Sequence, residues 1–169
     1  MASFGRRSLL YRPAWVFHPE KMSIGEDVWI SQGAWFEIGE PAFDAPSPVL
    51  VVGDRVIVRH HCTISAAERV EIEDDVLIAA YVSIFDSDHT MGGRGNPVWN
   101  PQVTSPVRIG SGSWLGERVT VLRGADVGRR CVIGAHSVVK GTIPDYSVAV
   151  GAPAVVVGST RAAFEVAAS

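Results

Sequence analysis

The side chains best suited to moving protons lie in two short clusters. One is Phe85-Asp86-Ser87-Asp88-His89-Thr90, where two carboxyls and an imidazole fall within four residues. The other is Arg59-His60-His61-Cys62, and a further imidazole, His136, follows much later. Imidazole titrates near neutral pH, so it can take up and release a proton under working conditions. Cys62 and Cys131 are the only cysteines, too few for a disulfide framework or a thiolate zinc site. Lys21 and Lys140 are the only lysines, so fixed positive charge rests mainly with arginine.

The scaffold for these groups is one domain, on a length of 169 residues. Val and Ile, at 25 and 11, far outnumber the 6 Leu, and such β-branched bias argues for strands. A net charge of -3 excludes the broad basic surface of a nucleic-acid binder. No apolar run approaches the roughly 18 residues of a membrane span. Arg6-Arg7 followed by Ser8-Leu9-Leu10-Tyr11 has the look of a signal peptide, but Arg12 and Pro13 interrupt it and no small-residue cleavage site follows. A cytoplasmic location is expected.

A six-residue repeat runs along the chain. Apolar residues recur at Ile24, Ile30, Phe36; Val52, Val58, Ile64; Ile72, Ile78, Ile84; and then Ile109, Leu115, Val121, Val127, Ile133, Val139. Fourteen of these 15 are Ile, Leu or Val. The fifth residue of each hexad is small or β-branched, Cys62 and Cys131 included. The three misfits, Glu40, Glu68 and Asp88, each close a run of three hexads. Gly often takes the second place, as at Gly25, Gly53, Gly110, Gly116, Gly128 and Gly134. Neither helical nor two-residue periodicity fits. A short strand plus a corner does, and three such units make a triangular coil of 18 residues that stacks on the next.

The expected layout is a single all-β domain over residues 1–169. An N-terminal extension takes residues 1–23 and the coils about 24–144. An excursion loop takes about 90–108, rich in Gly and Pro, and a C-terminal segment 145–169. A loop this long in a compact domain points to function, and this one follows directly on the Asp86–His89 cluster. Residues 42–51 interrupt the repeat once more, and Ser159–Ser169 reads as a short helix.

Ile109-Gly-Ser-Gly-Ser-Trp114-Leu-Gly116-Glu117, Val127-Gly128, Ile133-Gly134-Ala135-His136-Ser137 and Val150-Gly151-Ala152-Pro153-Ala154 complete a pattern. With the hexads and Asp86-Ser87-Asp88-His89, it resembles the hexapeptide-repeat acyltransferases, closest to the maltose, galactoside and exopolysaccharide O-acetyltransferases. The resemblance implies a left-handed parallel β-helix, acetyl-CoA as donor, a sugar or glycan-precursor hydroxyl as acceptor, and a homotrimer with sites between chains. It makes His89 the general base of a direct transfer and the Glu117 backbone N–H the oxyanion donor. It assigns Trp114, Gly116 and Ala135 to the coenzyme channel; the basic residues relatives carry after the Pro-Ala pair are absent after Pro153-Ala154, which leaves Lys140, Arg123 and Arg161 as candidate handles for the phosphates. Arg59, His61, Asp86 and Asp88 are candidates for the acceptor, the aspartates also for orienting the imidazole. Outward apolar residues such as Trp29, Trp35 and Leu77 fit the expected trimer.

Three other readings are open. An N-acetyltransferase on an amino sugar would share the donor site. A zinc protein like the γ-class carbonic anhydrases needs three converging His, but His60, His61, His89 and His136 lack that family's spacing, so no metal is expected. A β-helix subunit without catalysis is the third.

Overall fold

The computed structural model describes residues 1–46, 48–91 and 100–166. It is a left-handed parallel β-helix of triangular section. Each coil contributes one strand to each of three parallel sheets.

The first coil is β1 (Ser3–Phe4), β2 (Leu9–Leu10) and β3 (Trp15–Val16). The second is β4 (Met22–Ile24), β5 (Trp29–Ile30) and β6 (Trp35–Ile38), and the third β7 (Leu50–Val52), β8 (Ile57–Val58) and β9 (Thr63–Ala66). The fourth is β10 (Val70–Ile72), β11 (Leu77–Ile78) and β12 (Ser83–Phe85). There the chain leaves the prism as a two-stranded excursion, β13 (Ser87–His89) and β14 (Gln102–Thr104). It re-enters for β15 (Val107–Ile109), β16 (Trp114–Leu115) and β17 (Thr120–Val121), then β18 (Asp126–Val127), β19 (Val132–Ile133) and β20 (Val138–Val139). β21 (Thr142–Ile143) and β22 (Ser147–Gly151) begin a seventh coil, and β23 (Ala154–Ser159) turns back antiparallel along β22. A short helix, α1 (Arg161–Val166), follows.

Sheet A stacks β1, β4, β7, β10, β15, β18 and β21; sheet B stacks β2, β5, β8, β11, β16, β19, β22 and β23; sheet C stacks β3, β6, β9, β12, β17 and β20. All 15 hexad-start residues are at most 2% exposed and fill the prism. Cys62 and Cys131 are buried among them, and burial pushes the Cys62 thiol up to about 11.

Residues 1–23 correct the sequence reading. They are a coil of the prism, since Ser3 pairs with Ser23, Leu9 with Trp29 and Trp15 with Trp35. Phe4, Leu10 and Val16 are themselves six apart, a signal hidden by the Arg-rich and Pro-containing surroundings. Within the excursion expected over 90–108, residues 92–99 lie outside the described ones, as do 167–169 of the expected C-terminal helix. The segment after residue 144 adds two strands, β22 and β23, to sheet B.

Stacked partners show where the chain gains length. Ser3–Ser23, Met22–Leu50, Leu50–Val70, Val70–Val107, Arg108–Asp126 and Asp126–Thr142 are 20, 28, 20, 37, 18 and 16 residues apart. The extra residues all leave at the corner between sheets C and A. The other two corners keep the short form, each with a left-handed residue whose N–H donates to the coil before. Asp27, Arg55 and Asp75 serve so between A and B, and His61, Tyr81, Arg118 and His136 between B and C.

Candidate active site

The excursion begins at Asp86, expected beside His89 or the acceptor. It meets neither. Its side chain is fully buried, where Oδ1 accepts the Ala67 N–H at 2.7 Å and Oδ2 the N–H groups of Glu68 and Arg69 at 2.8 and 2.7 Å. Burial pushes the carboxyl above the ordinary carboxylate range, and the three amides pull the other way. Asp86 therefore pins the turn of one coil to the start of the excursion of the next.

β13 and β14 pair antiparallel, with Asp88 opposite Val103 and His89 opposite Gln102. Successive side chains of a strand point to opposite faces, so His89 and Asp88 part company. His89 lines a cavity of about 310 Å³ with Glu40, Pro41, Asn100, Pro101 and Gln102. Asp88 lines another, of about 190 Å³, with Leu122, Arg123 and Lys140. Arg123 Nε donates to Asp88 Oδ2 at 2.7 Å, which leaves Lys140 as the cation of that cavity not paired to a carboxylate among the described residues. Asp88 is thus placed beside the basic residues, away from the His89 ring it was expected to orient.

The other expected residues gather on sheet B and on the corner between B and C. Trp114 is 48% exposed on the outer face of sheet B, in register with Leu77 and Val132. Gly116 lies so close to the next coil that a Cβ there would come within 2.7 Å of the Ala135 backbone nitrogen. That contact brings Glu117 and Ala135 side by side on one corner, and the Glu117 carbonyl accepts the His136 N–H at 2.9 Å. Among the described residues, nothing accepts the N–H of Glu117 or Ala135, nor those of Gln32, His60 and Ala80 on the same corner. The Glu117 side chain turns aside to Arg118, 2.8 Å away.

Arg59 is exposed at the end of β8. His61 stacks on Tyr81 with ring centroids 5.3 Å apart, and the Arg118 guanidinium covers the same tyrosine at 5.1 Å. Arg161 lies 4.5 Å over the ring of Tyr146 on the corner between A and B, away from Lys140. Among the described residues, no group of three or more His, Cys, Asp or Glu is arranged to hold a metal ion. No helix there is long and apolar enough to cross a membrane.

The candidate residues therefore fall into two groups. The half with His89, Asp88, Arg123 and Lys140 sits on one edge of sheet C. The half with Trp114, Gly116, Glu117, Ala135, Arg59 and His61 sits on the opposite edge. A hexad of extended chain separates them, on the order of 20 Å.

Residues 106–141 match the family described as bacterial transferase hexapeptide (six repeats). The Mycobacterium tuberculosis protein named "Probable acetyltransferase Rv3034c" is 42% identical over 81% of this chain and 46% of its own length. The Escherichia coli protein named "Putative lipopolysaccharide biosynthesis O-acetyl transferase WbbJ" is 38% identical over 64% of this chain and 60% of its own. The chain belongs to the hexapeptide-repeat transferase family. Among solved structures, a galactoside acetyltransferase in complex with coenzyme A superposes with a TM-score of 0.74, at 26% identity over 87% of this chain and 70% of that one. This hexapeptide-repeat chain spans about half the length of the curated relatives it matches, 46% and 60%.

Sequence reasoning missed Glu40 and Gln102 as neighbours of His89. Glu40 did carry a signal, as a misfit in the fifth place of a hexad. Gln102 carried none, because the excursion has no period from which to read its strand pairing.

Proposed function

We propose that the protein is an acetyl-CoA-dependent O-acetyltransferase acting on a sugar or glycan-precursor hydroxyl. The observation that carries this reading is the pair of half-sites: an exposed imidazole on one edge of sheet C, and open amide N–H groups beside an exposed Trp on the other. The galactoside acetyltransferase held coenzyme A on the same fold, which supports the donor. An acyl-CoA donor also fits the cytoplasmic location expected from the sequence.

His89 takes the acceptor proton as the hydroxyl oxygen attacks the thioester carbonyl. The Glu117 N–H holds the oxyanion that develops, in a place where no internal acceptor competes for it. Collapse of the tetrahedral species expels the coenzyme thiolate, which recovers the proton from the imidazolium. Trp114 and the backbone at Gly116 and Ala135 line the pantetheine path, while Lys140 and Arg123 meet phosphate. Arg161, stacked on Tyr146, is left out of this set.

The halves meet if the protein is a homotrimer, one chain's His89 edge facing the next chain's Trp114 edge. The outer face of sheet B supports such packing. Leu9, Trp29, Ile57, Leu77, Trp114, Val132 and Val148 stack in register as one apolar column, and the first five are exposed in the single chain.

Replacing His89 with Ala should lower turnover with acetyl-CoA by about 10²–10⁴-fold and leave coenzyme binding intact. Mixed refolding of His89→Ala with Trp114→Ala chains should then restore part of the activity, since some interfaces join two intact halves. Full activity in His89→Ala places the base elsewhere. A monomer mass by light scattering, or no restoration in the mixture, removes the shared site. An amino-sugar nitrogen would use the same donor half, and alkali lability of the product separates ester from amide.

A further inference from the structure

We infer that Glu40 selects the acceptor by charge: it forms the wall of the His89 cavity that rejects anionic sugars and receives a hydroxyl or an ammonium group. The inference rests on the acceptor half of the reading above and extends it to a residue with no assigned role.

Glu40 and His89 come from excursions two coils apart that leave the prism at the same corner. Three contacts fix the glutamate. The Gly39 N–H donates to the Ala66 carbonyl at 2.8 Å, and a Cβ on Gly39 would lie 2.9 Å from the Ala67 Cβ, so the chain passes there without room for a side chain. Glu40–Ala42 then form a single 3-10 turn, closed by the Ala42 N–H to the Gly39 carbonyl at 3.0 Å and the Phe43 N–H to the Glu40 carbonyl at 3.1 Å. Ala42 is buried, and Phe43 packs against Phe17 and His18. The turn under Gly39 includes Ala67, whose N–H is held by Asp86. Asp86 thus anchors both walls of the cavity, since His89 follows it by three residues.

The chemistry of the lining decides the ligand. Among the six described lining residues Glu40 supplies the one carboxyl group, and neither Lys nor Arg accompanies it. Asn100 and Gln102 add amides, and two prolines close the rest. Gln102 Oε1 is buried with no hydrogen-bond partner among the described residues, and it lies 3.7 Å from the Cβ position of Gly39. Two oxygen acceptors and an imidazole suit a ligand rich in O–H or N–H donors. A uronate or phosphorylated sugar would put its charge beside a carboxylate with no cation among the described lining residues to offset it. Arg123 and Lys140 line the separate cavity on the other side of the excursion. At about 310 Å³ the cavity has room for one pyranose ring.

The test reads binding without the donor, so it separates from acetyl transfer. Methyl glucopyranoside, methyl 2-amino-2-deoxyglucopyranoside and methyl glucuronopyranoside are titrated into the full chain and into Glu40→Gln. The His89 ring and Gln102 amide resonances are followed by NMR. In the wild type the neutral and amino glycosides should bind about tenfold or more tightly than the uronate. Glu40→Gln should weaken the amino glycoside about fivefold and tighten the uronate, closing most of the gap, while Glu40→Asp keeps the original order. Equal affinity for all three in the wild type, an unchanged order in Glu40→Gln, or no shift at His89 and Gln102 with any of them overturns the inference. If binding follows charge as stated but acetyl-CoA gives no transfer to any of the three, Glu40 stands as the selector and the acetyltransferase reading falls.

Discussion

The corner between sheets A and B and the corner between B and C share one backbone shape but treat their amides in opposite ways. On the first, carboxylates from neighbouring coils close the N–H groups. Asp54 accepts from Glu26 at 2.8 Å, Asp74 from Asp54 at 2.9 Å, Glu73 from Ser111 at 2.9 Å and Asp145 from Arg129 at 3.0 Å. Outside them runs a column of paired charge, Arg7 on Asp27 and Arg55 on Asp75, which holds both aspartates below the ordinary carboxylate range. Among the described residues, the second corner has no such carboxylate acceptors. There the N–H groups of Gln32, His60, Ala80, Glu117 and Ala135 meet no acceptor among the described residues. In a stack of near-identical turns, the difference between a closed corner and one whose amides are open to a ligand comes down to whether an acid from the adjacent coil has taken the N–H first.

The largest effect should come from the most heavily used acid. Asp86→Ala strands three amides in a buried turn, and each orphaned donor costs about 1–3 kcal/mol. A loss of roughly 3–5 kcal/mol in urea unfolding is expected. A loss under about 1 kcal/mol would mean that water takes over the carboxylate's place, and that Asp86 anchors neither cavity wall.

A matched glycine pair sharpens the contrast. A Cβ on Gly128 would meet the Asp145 backbone nitrogen at 2.5 Å, and one on Gly116 the Ala135 nitrogen at 2.7 Å. Both Ala variants should lose about 1–3 kcal/mol to overpacking. Gly116→Ala alone should weaken coenzyme A binding by calorimetry, about tenfold. Equal affinities in the two variants would break the division between corners.

Asp74→Ala removes one cap, from the Asp54 N–H, and should cost about 1 kcal/mol in the same urea assay. Coenzyme affinity should not move. If it does, the sealed corner also takes part in binding.

The prism was legible in the sequence because its inner residues obey a strict period, and all 15 hexad starts are buried as that period requires. The first coil escaped notice because Arg6, Arg7, Arg12 and Pro13 drew attention away from Phe4, Leu10 and Val16. The site was legible only in part. Trp114 and Lys140 occupy positions that the repeat fixes, and His89 stands just where the repeat breaks off. The separation of His89 from Asp88 depends on β13 continuing as a strand outside the prism, and nothing periodic announces that. Asp86 misled for a related reason: an acid in a polar segment suggests solvent or ligand, and only the close approach of the 67–69 turn shows that three amides consume it.

All the added length leaves at one corner, and this bears on how readily such a chain can change. The step from Val70 to Val107 is 37 residues, against 18 from Arg108 to Asp126, and doubling a loop costs only about 0.6 kcal/mol in closure entropy. Sheets A and B continue across the gap in register, Val70 on Val107 and Leu77 on Trp114, as though the excursion were absent. The two walls of the His89 cavity are therefore the segments of this molecule that can be lengthened, shortened or exchanged at least thermodynamic cost. Under the proposed function, new acceptors can be tried there while the coils assigned to the donor go on folding as before.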